Sequence, residues 1–151
     1  MNTVSGRIDG VVGEFADLDG REKLELLLDF AARLPALPPE YAARKGSEDR
    51  RVHECQTPVF LWPDVQGGVT RLYAEVAPEA PTVKGFVAIL ADVVEGRPVD
   101  EVLSIGDDLL ERMGLAHVLG ILRTRGLRAI VGHIKRGVLA ASTTPHGTPP
   151  P

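Results

Sequence analysis

The stretch Arg50 to Phe60, RRVHECQTPVF, holds the single cysteine of the chain. A thiolate is a strong nucleophile, and cations lower the pKa that controls it. Arg50, Arg51 and His53 stand within five residues of Cys55, whereas Glu54 opposes them. Two roles stay open on these residues alone: a small buried hydrophobe, or a reactive thiol in a polar turn. His53 would share a strand face with Cys55, two positions away, so a Cys-His pair is conceivable. Two donors are too few for a closed zinc site, and an ordinary polar histidine beside a turn fits equally. A stand-alone Cys-His hydrolase would also need an orienting group and an oxyanion site, which nothing at recognisable spacing supplies. One cysteine can neither close an internal disulfide nor hold an iron-sulfur cluster by itself. No cofactor and no metal site is expected.

The elements around Cys55 follow from periodicity. Residues 1–15 carry Gly6, Gly10 and Gly13 and read as a loose lead-in. Asp19 and Glu22 have the spacing of a capping box, and Leu24, Leu27, Leu28, Ala31 and Leu34 then recur at helical spacing until Pro35 stops them. Pro35, Pro38 and Pro39 make a stiff connection to a polar helical piece near Glu40 to Lys45. Three short antiparallel strands are expected at about 50–53, 58–63 and 69–77, with Gln66-Gly67-Gly68 as one turn and Cys55 at the tip of the other. A helix over 83–95 follows, with Thr82 as cap and Gly96 as terminator. Leu127, Ile130, Val131, Ile134 and Val138 mark a last helix, weakened by Gly126, Gly132 and Gly137. From 141 to 151 there is nothing to bury, so a disordered Pro-rich tail is expected after a domain over 16–140. The order helix, strands, helices predicts an α+β fold, a small three-stranded antiparallel sheet covered on one face by helices.

Composition narrows the partners. At 151 residues the chain is one domain's length, and 44% apolar with 25% charged residues is the balance of a globular protein rather than a disordered one. A net charge of -4 without a basic run gives no electrostatic reason for binding nucleic acid or an anionic membrane. No apolar stretch reaches bilayer-spanning length, and the start lacks a basic segment followed by an apolar one, so a cytoplasmic protein is expected.

Four segments, in order, resemble the SufE-type sulfur acceptors, the partners of cysteine desulfurases in iron-sulfur cluster assembly. Val52-His53-Glu54-Cys55-Gln56-Thr57-Pro58-Val59 is similar to the family's V-x-G-C-Q-S-x-V. Thr82 to Leu90 resembles I-V-K-G-L-I-A, and Gly114 to Leu119 with Arg123 to Leu127 resembles G-L-x-x-H-L and S-R-x-N-G-L. Leu34 to Pro38 matches L-P-x-L-P. Together they span about residues 14–136. The resemblance implies the SufE/IscU-like fold and a sulfurtransferase-like partner of a pyridoxal phosphate-dependent, SufS-like desulfurase. Cys55 would accept the persulfide sulfur, stimulate the desulfurase and pass sulfur to an Fe-S scaffold. The alternative is a regulatory module that docks on a desulfurase without carrying sulfur.

By the same resemblance Arg123 would support the thiolate or persulfide, or aid docking, its other reading being a surface ion pair. Glu79 falls where the family has aspartate and His117 where it has histidine, while Lys84 and Gly85 would start a helix and permit close packing. Glu54 replaces the glycine before the reactive cysteine, which disfavours a positive φ and sets a carboxylate beside the thiol. Arg125 replaces an amide residue.

Overall fold

The computed structural model describes residues 2–143. The chain runs α1 (Val4–Ala16), α2 (Gly20–Ala31), α3 (Pro39–Ala42), β1 (Val59–Gln66), β2 (Val69–Val76), α4 (Pro81–Val94), α5 (Val99–Leu103), α6 (Leu109–Arg112), α7 (Ala116–Leu119) and α8 (Ile121–Thr143). The mixed α+β architecture agrees with the sequence reading, and several of its details change.

First, residues 1–15 are not a loose lead-in, because most of them form α1. The Thr3 side chain caps it by accepting the Gly6 amide, 2.9 Å away. Tertiary contacts outweigh the glycines. Val4, Ile8 and Phe15 are buried, and the Phe15 ring stacks on Phe30 with centroids 6.3 Å apart. Arg7 donates to three main-chain carbonyls at the end of α4, those of Asp92, Val93 and Glu95, at 2.8 to 3.1 Å. A guanidinium there satisfies carbonyls that the helix itself leaves unpaired.

Second, the sheet has two strands. β1 and β2 pair antiparallel from Val59↔Val76 to Gln66↔Val69, and Gly67 and Gly68 form the two-residue loop with φ of 61° and 80°. Both positions lie in the left-handed region, as a hairpin turn matching strand twist requires. The strand expected over 50–53 is reduced to a bridge at Arg51↔Phe60. The Val52 amide donates to Val59 (2.8 Å) and the Leu61 amide to Arg50 (2.9 Å). It extends no further because Glu48, just upstream, is held by Arg44, Arg50 and the Trp62 indole. On the other side Cys55 already turns back, its amide donating to the Val52 carbonyl at 3.1 Å.

Third, Thr82 does not cap α4. The helix starts at Pro81 after Ala80, and a proline at the first position needs no amide partner. In α2 the capping box is present, Asp19 accepting from the Glu22 amide and Glu22 from the Asp19 amide at 2.8 and 3.0 Å. Its buried face holds Leu27, Phe30 and Ala31, while Leu28 is exposed. The last helix buries Leu127, Ile130, Val131, Ile134 and Val138 as the spacing predicts. It continues to Thr143, through the first residues of the expected tail, and residues 144–151 lie outside those described.

The inner face of the hairpin, Val59, Leu61, Leu72, Ala74 and Val76, joins one core with α4 and α8. The opposite face is covered as well. Tyr41 of α3 stacks on Tyr73 at 4.2 Å and donates its hydroxyl to buried Asp64 at 3.0 Å. This anchors the segment that leads into the Cys55 turn.

Helices α2 and α4 cross in close contact. A Cβ on Gly85 would fall 2.1 Å from the Leu27 carbonyl oxygen, a main-chain atom that cannot swing aside. Gly85→Ala is therefore expected to destabilise the fold by about 1–3 kcal/mol or more, read as a lowered midpoint in urea unfolding with an unchanged slope.

Candidate functional site

Cys55 lies where the sequence places it, in the turn between the Arg51 bridge and β1, but its side chain points inward. The residue is 8% exposed, and Sγ lies 3.6 Å from the Gly126 carbonyl of α8, to which the thiol donates. Such a bond is weak, and it is available to the thiol but not to the thiolate. Gly126 makes the approach possible, since a Cβ there would stand 3.0 Å from Sγ.

The thiol forms part of a cleft of about 110 Å³, shared with Gln56, Thr57, Glu79, Arg123 and Leu122. Arg123 comes from the first turn of α8 and Glu79 from the loop after β2. The Arg123 guanidinium donates to the Thr82 hydroxyl at 3.0 Å, which ties the start of α8 to the start of α4. Three of the four residues singled out from the sequence, Cys55, Glu79 and Arg123, thus meet around one cleft. His53 does not join them. It is exposed and pairs with Asp49 at 2.9 Å, so no Cys-His pair forms. His117 is exposed on α7 and does not line the cleft either. A larger cavity of about 440 Å³, between β2, α4 and the linker after α2, contains none of these residues.

Electrostatics favour the neutral thiol in this position. Burial, reinforced by the charge of Glu54, pushes Cys55 up from 9.0 to about 11, with Arg51 opposing. The cations noticed in the sequence thus lose to desolvation. Glu54 is held below the usual carboxylate range, first by its own backbone amide and then by His133 and Arg136. It adopts no positive φ, because among the described residues only glycines do. The turn therefore accommodates a glutamate without backbone strain.

Two contributors escaped the sequence reading. Gly126 reads there as a weak point in a helix, although it makes room for the sulfur. His133 on α8, 3.1 Å from Glu54, carries no local signal because its partner is 79 residues away. Among the described residues no group of three or more His, Cys, Asp or Glu side chains is placed to hold a metal ion, and no helix is long and apolar enough to cross a membrane.

The protein is an α+β domain whose one thiol lies in a small, partly charged cleft. The SufE family profile, described as Fe-S metabolism associated domain, matches residues 9–138. The chain belongs to the SufE family, and so to a family associated with Fe-S metabolism. It is similar to uncharacterized SufE-like proteins from two strains of Mycobacterium tuberculosis. Each is 41% identical over 127 residues, covering 83% of this chain and 87% of the relative. An uncharacterized SufE-like protein from Rhizobium etli is 26% identical over 132 residues, covering 85% of this chain and 86% of the relative. The solution structure of a hypothetical protein from Thermus thermophilus superposes with a TM-score of 0.78 at 37% identity, covering 91% of this chain and 97% of that one.

The raised thiol pKa has a linkage consequence. Between about pH 9 and 11 the folded protein keeps a proton that the unfolded chain has lost, so stability is full below that window and falls as pH rises through it. The loss attributable to Cys55 is at most about 3 kcal/mol. Comparing wild type with Cys55→Ser by urea unfolding across this range isolates it: the difference in stability between the two should narrow as pH rises.

Proposed function

We propose that this protein accepts sulfur on Cys55 from the persulfide of a cysteine desulfurase and carries it toward Fe-S cluster assembly. The observation that carries the reading is the placement of the chain's single thiol beside Arg123 and Glu79 in one cleft, within a family associated with Fe-S metabolism.

The chemistry is a thiol exchange. Deprotonated Cys55 attacks the outer sulfur of the donor's cysteine persulfide. A new S–S bond forms on Cys55, the donor's S–S bond breaks, and the donor cysteine leaves as a thiolate that takes up the proton Cys55 gave up. No net oxidation or reduction occurs, and the outer sulfur changes carrier. Arg123, anchored on Thr82, lines the same cleft, and its guanidinium would pair with a persulfide anion once the sulfur moves out toward it. Glu79, which lines the same cleft, would be the group that takes up a proton there.

A cleft of about 110 Å³ cannot admit a protein's catalytic loop. Transfer therefore requires the Cys55 turn to swing out, which would also return the thiol toward its solvated pKa. Ile121 and Leu122, 85% and 66% exposed at the start of α8, offer apolar contact surface beside the cleft to a docking protein. After transfer, an Fe-S scaffold would take the sulfur by a second exchange.

The burial and raised pKa of Cys55 favour one other reading, a regulatory module that docks on a desulfurase without carrying sulfur. Cys55→Ser separates the two. Sulfur transfer requires a mass gain of one sulfur atom, mapped to Cys55, when the wild type is mixed with a cysteine desulfurase and free cysteine, and loss of both that gain and desulfurase stimulation in Cys55→Ser. Stimulation that survives the substitution would support the docking module instead.

Arg123→Ala tests the anion role. Persulfide loading should slow by roughly tenfold or more, as loss of a charge-assisted contact implies, while the urea midpoint stays nearly unchanged because this exposed group supports little of the fold.

A further inference from the structure

Glu54 stands where the family motif carries glycine, and it reaches across to α8. Its Oε1 lies 3.1 Å from His133 Nε2, with side-chain exposures of 43% and 30%. The next residue is Cys55, seated on the same helix two turns earlier at Gly126. Arg136, one further turn along α8, also faces the Glu54 carboxylate. Asp49 and Arg50 line the small cavity shared with His133 and Arg136, Asp49 being engaged by His53 and Arg50 by Glu48. The turn is thus attached to α8 at two successive residues, one through sulfur and one through a carboxylate.

We propose that Glu54 and His133 form a latch that holds the Cys55 turn against α8 and sets how often the thiol is presented to a partner. The inference rests on the reading that Cys55 must leave its cleft to react. A glycine at position 54 could make no such contact, so the latch requires the carboxylate that this chain carries there. An exposed carboxylate-imidazole pair has the strength a latch needs, enough to bias the turn toward its closed position and too little to lock it. Glu54 also restrains reactivity while closed, since its charge lies beside the sulfur.

The two effects of Glu54 are separable through His133. The test is the rate at which iodoacetamide alkylates Cys55 at fixed pH in wild type, Glu54→Ala, His133→Ala and the double variant. A latch makes both single variants faster, His133→Ala by about two- to fivefold, the range an exposed pair supplies. It also leaves the double variant no faster than Glu54→Ala alone, because each residue acts through the other. If Glu54 acted only through its field on the sulfur, removing the His133 side chain from the carboxylate would leave that field less compensated and slow alkylation, and that result, or an unchanged His133→Ala rate, overturns the proposal. Amide exchange supplies the second readout. Opening of the latch accelerates exchange at 53–57 and leaves the α4 core at 87–90 unchanged, whereas acceleration at both marks general destabilisation and overturns it. Alkylation needs no desulfurase, so failure here would leave sulfur acceptance standing, and failure of sulfur acceptance would leave the latch standing.

Discussion

The contact between Cys55 and the Gly126 carbonyl is the point on which the rest of the molecule turns. A nucleophilic sulfur left in water is open to oxidation and to exchange with any passing disulfide, while one sealed in an apolar core would never ionise. This fold sets the thiol at an intermediate position. It lies under the surface against a helix residue without a side chain, in a turn of few residues whose neighbours are polar. The raised pKa is then a property of this buried position and not of the thiol as such.

The surrounding structure divides into parts that cannot yield and parts that can. The α2–α4 crossing at Gly85 is built from close packing, the Tyr41–Asp64 bond beneath the hairpin is a buried polar contact, and the Arg7 clamp ties three carbonyls at the end of α4. They fix α4, β1 and the segment before Cys55. The turn itself is held by an isolated bridge, one weak sulfur contact and exposed ion pairs. Local opening is expected where buried apolar contacts are few, and in this turn they are limited to Val52 and Cys55, with 53, 54 and 56 exposed. A rigid frame around a loosely held turn can present the sulfur without unfolding the domain.

Much of this arrangement was legible in the residues. Capping by Asp19 and Glu22, the glycine turn of the hairpin and the buried stripe of the last helix all follow from short-range spacing, and the structure contains each. The site was legible as far as motif order reaches: Cys55, Glu79 and Arg123 converge although they come from three separate segments. What did not follow depends on contacts between distant residues. The first helix forms in spite of three glycines because Phe15 and Arg7 find partners far along the chain. The expected third strand stops short because Glu48 binds Trp62 and two arginines. The inward turn of the thiol depends on the missing side chain of Gly126, and sequence alone reads that glycine as a defect. His53, the nearest histidine in sequence, faces Asp49, while the histidine that does reach the turn, His133, is remote in sequence.

Whether the sulfur of Cys55 meets a partner's sulfur is decided most directly by trapping the two together. Mixed with a cysteine desulfurase and mildly oxidised, the protein should form one disulfide-linked complex, joining Cys55 to the partner's persulfide-bearing cysteine and dissolved by reductant. A stable complex of the two proteins in which Cys55 never cross-links would contradict a sulfur-carrying role for this residue.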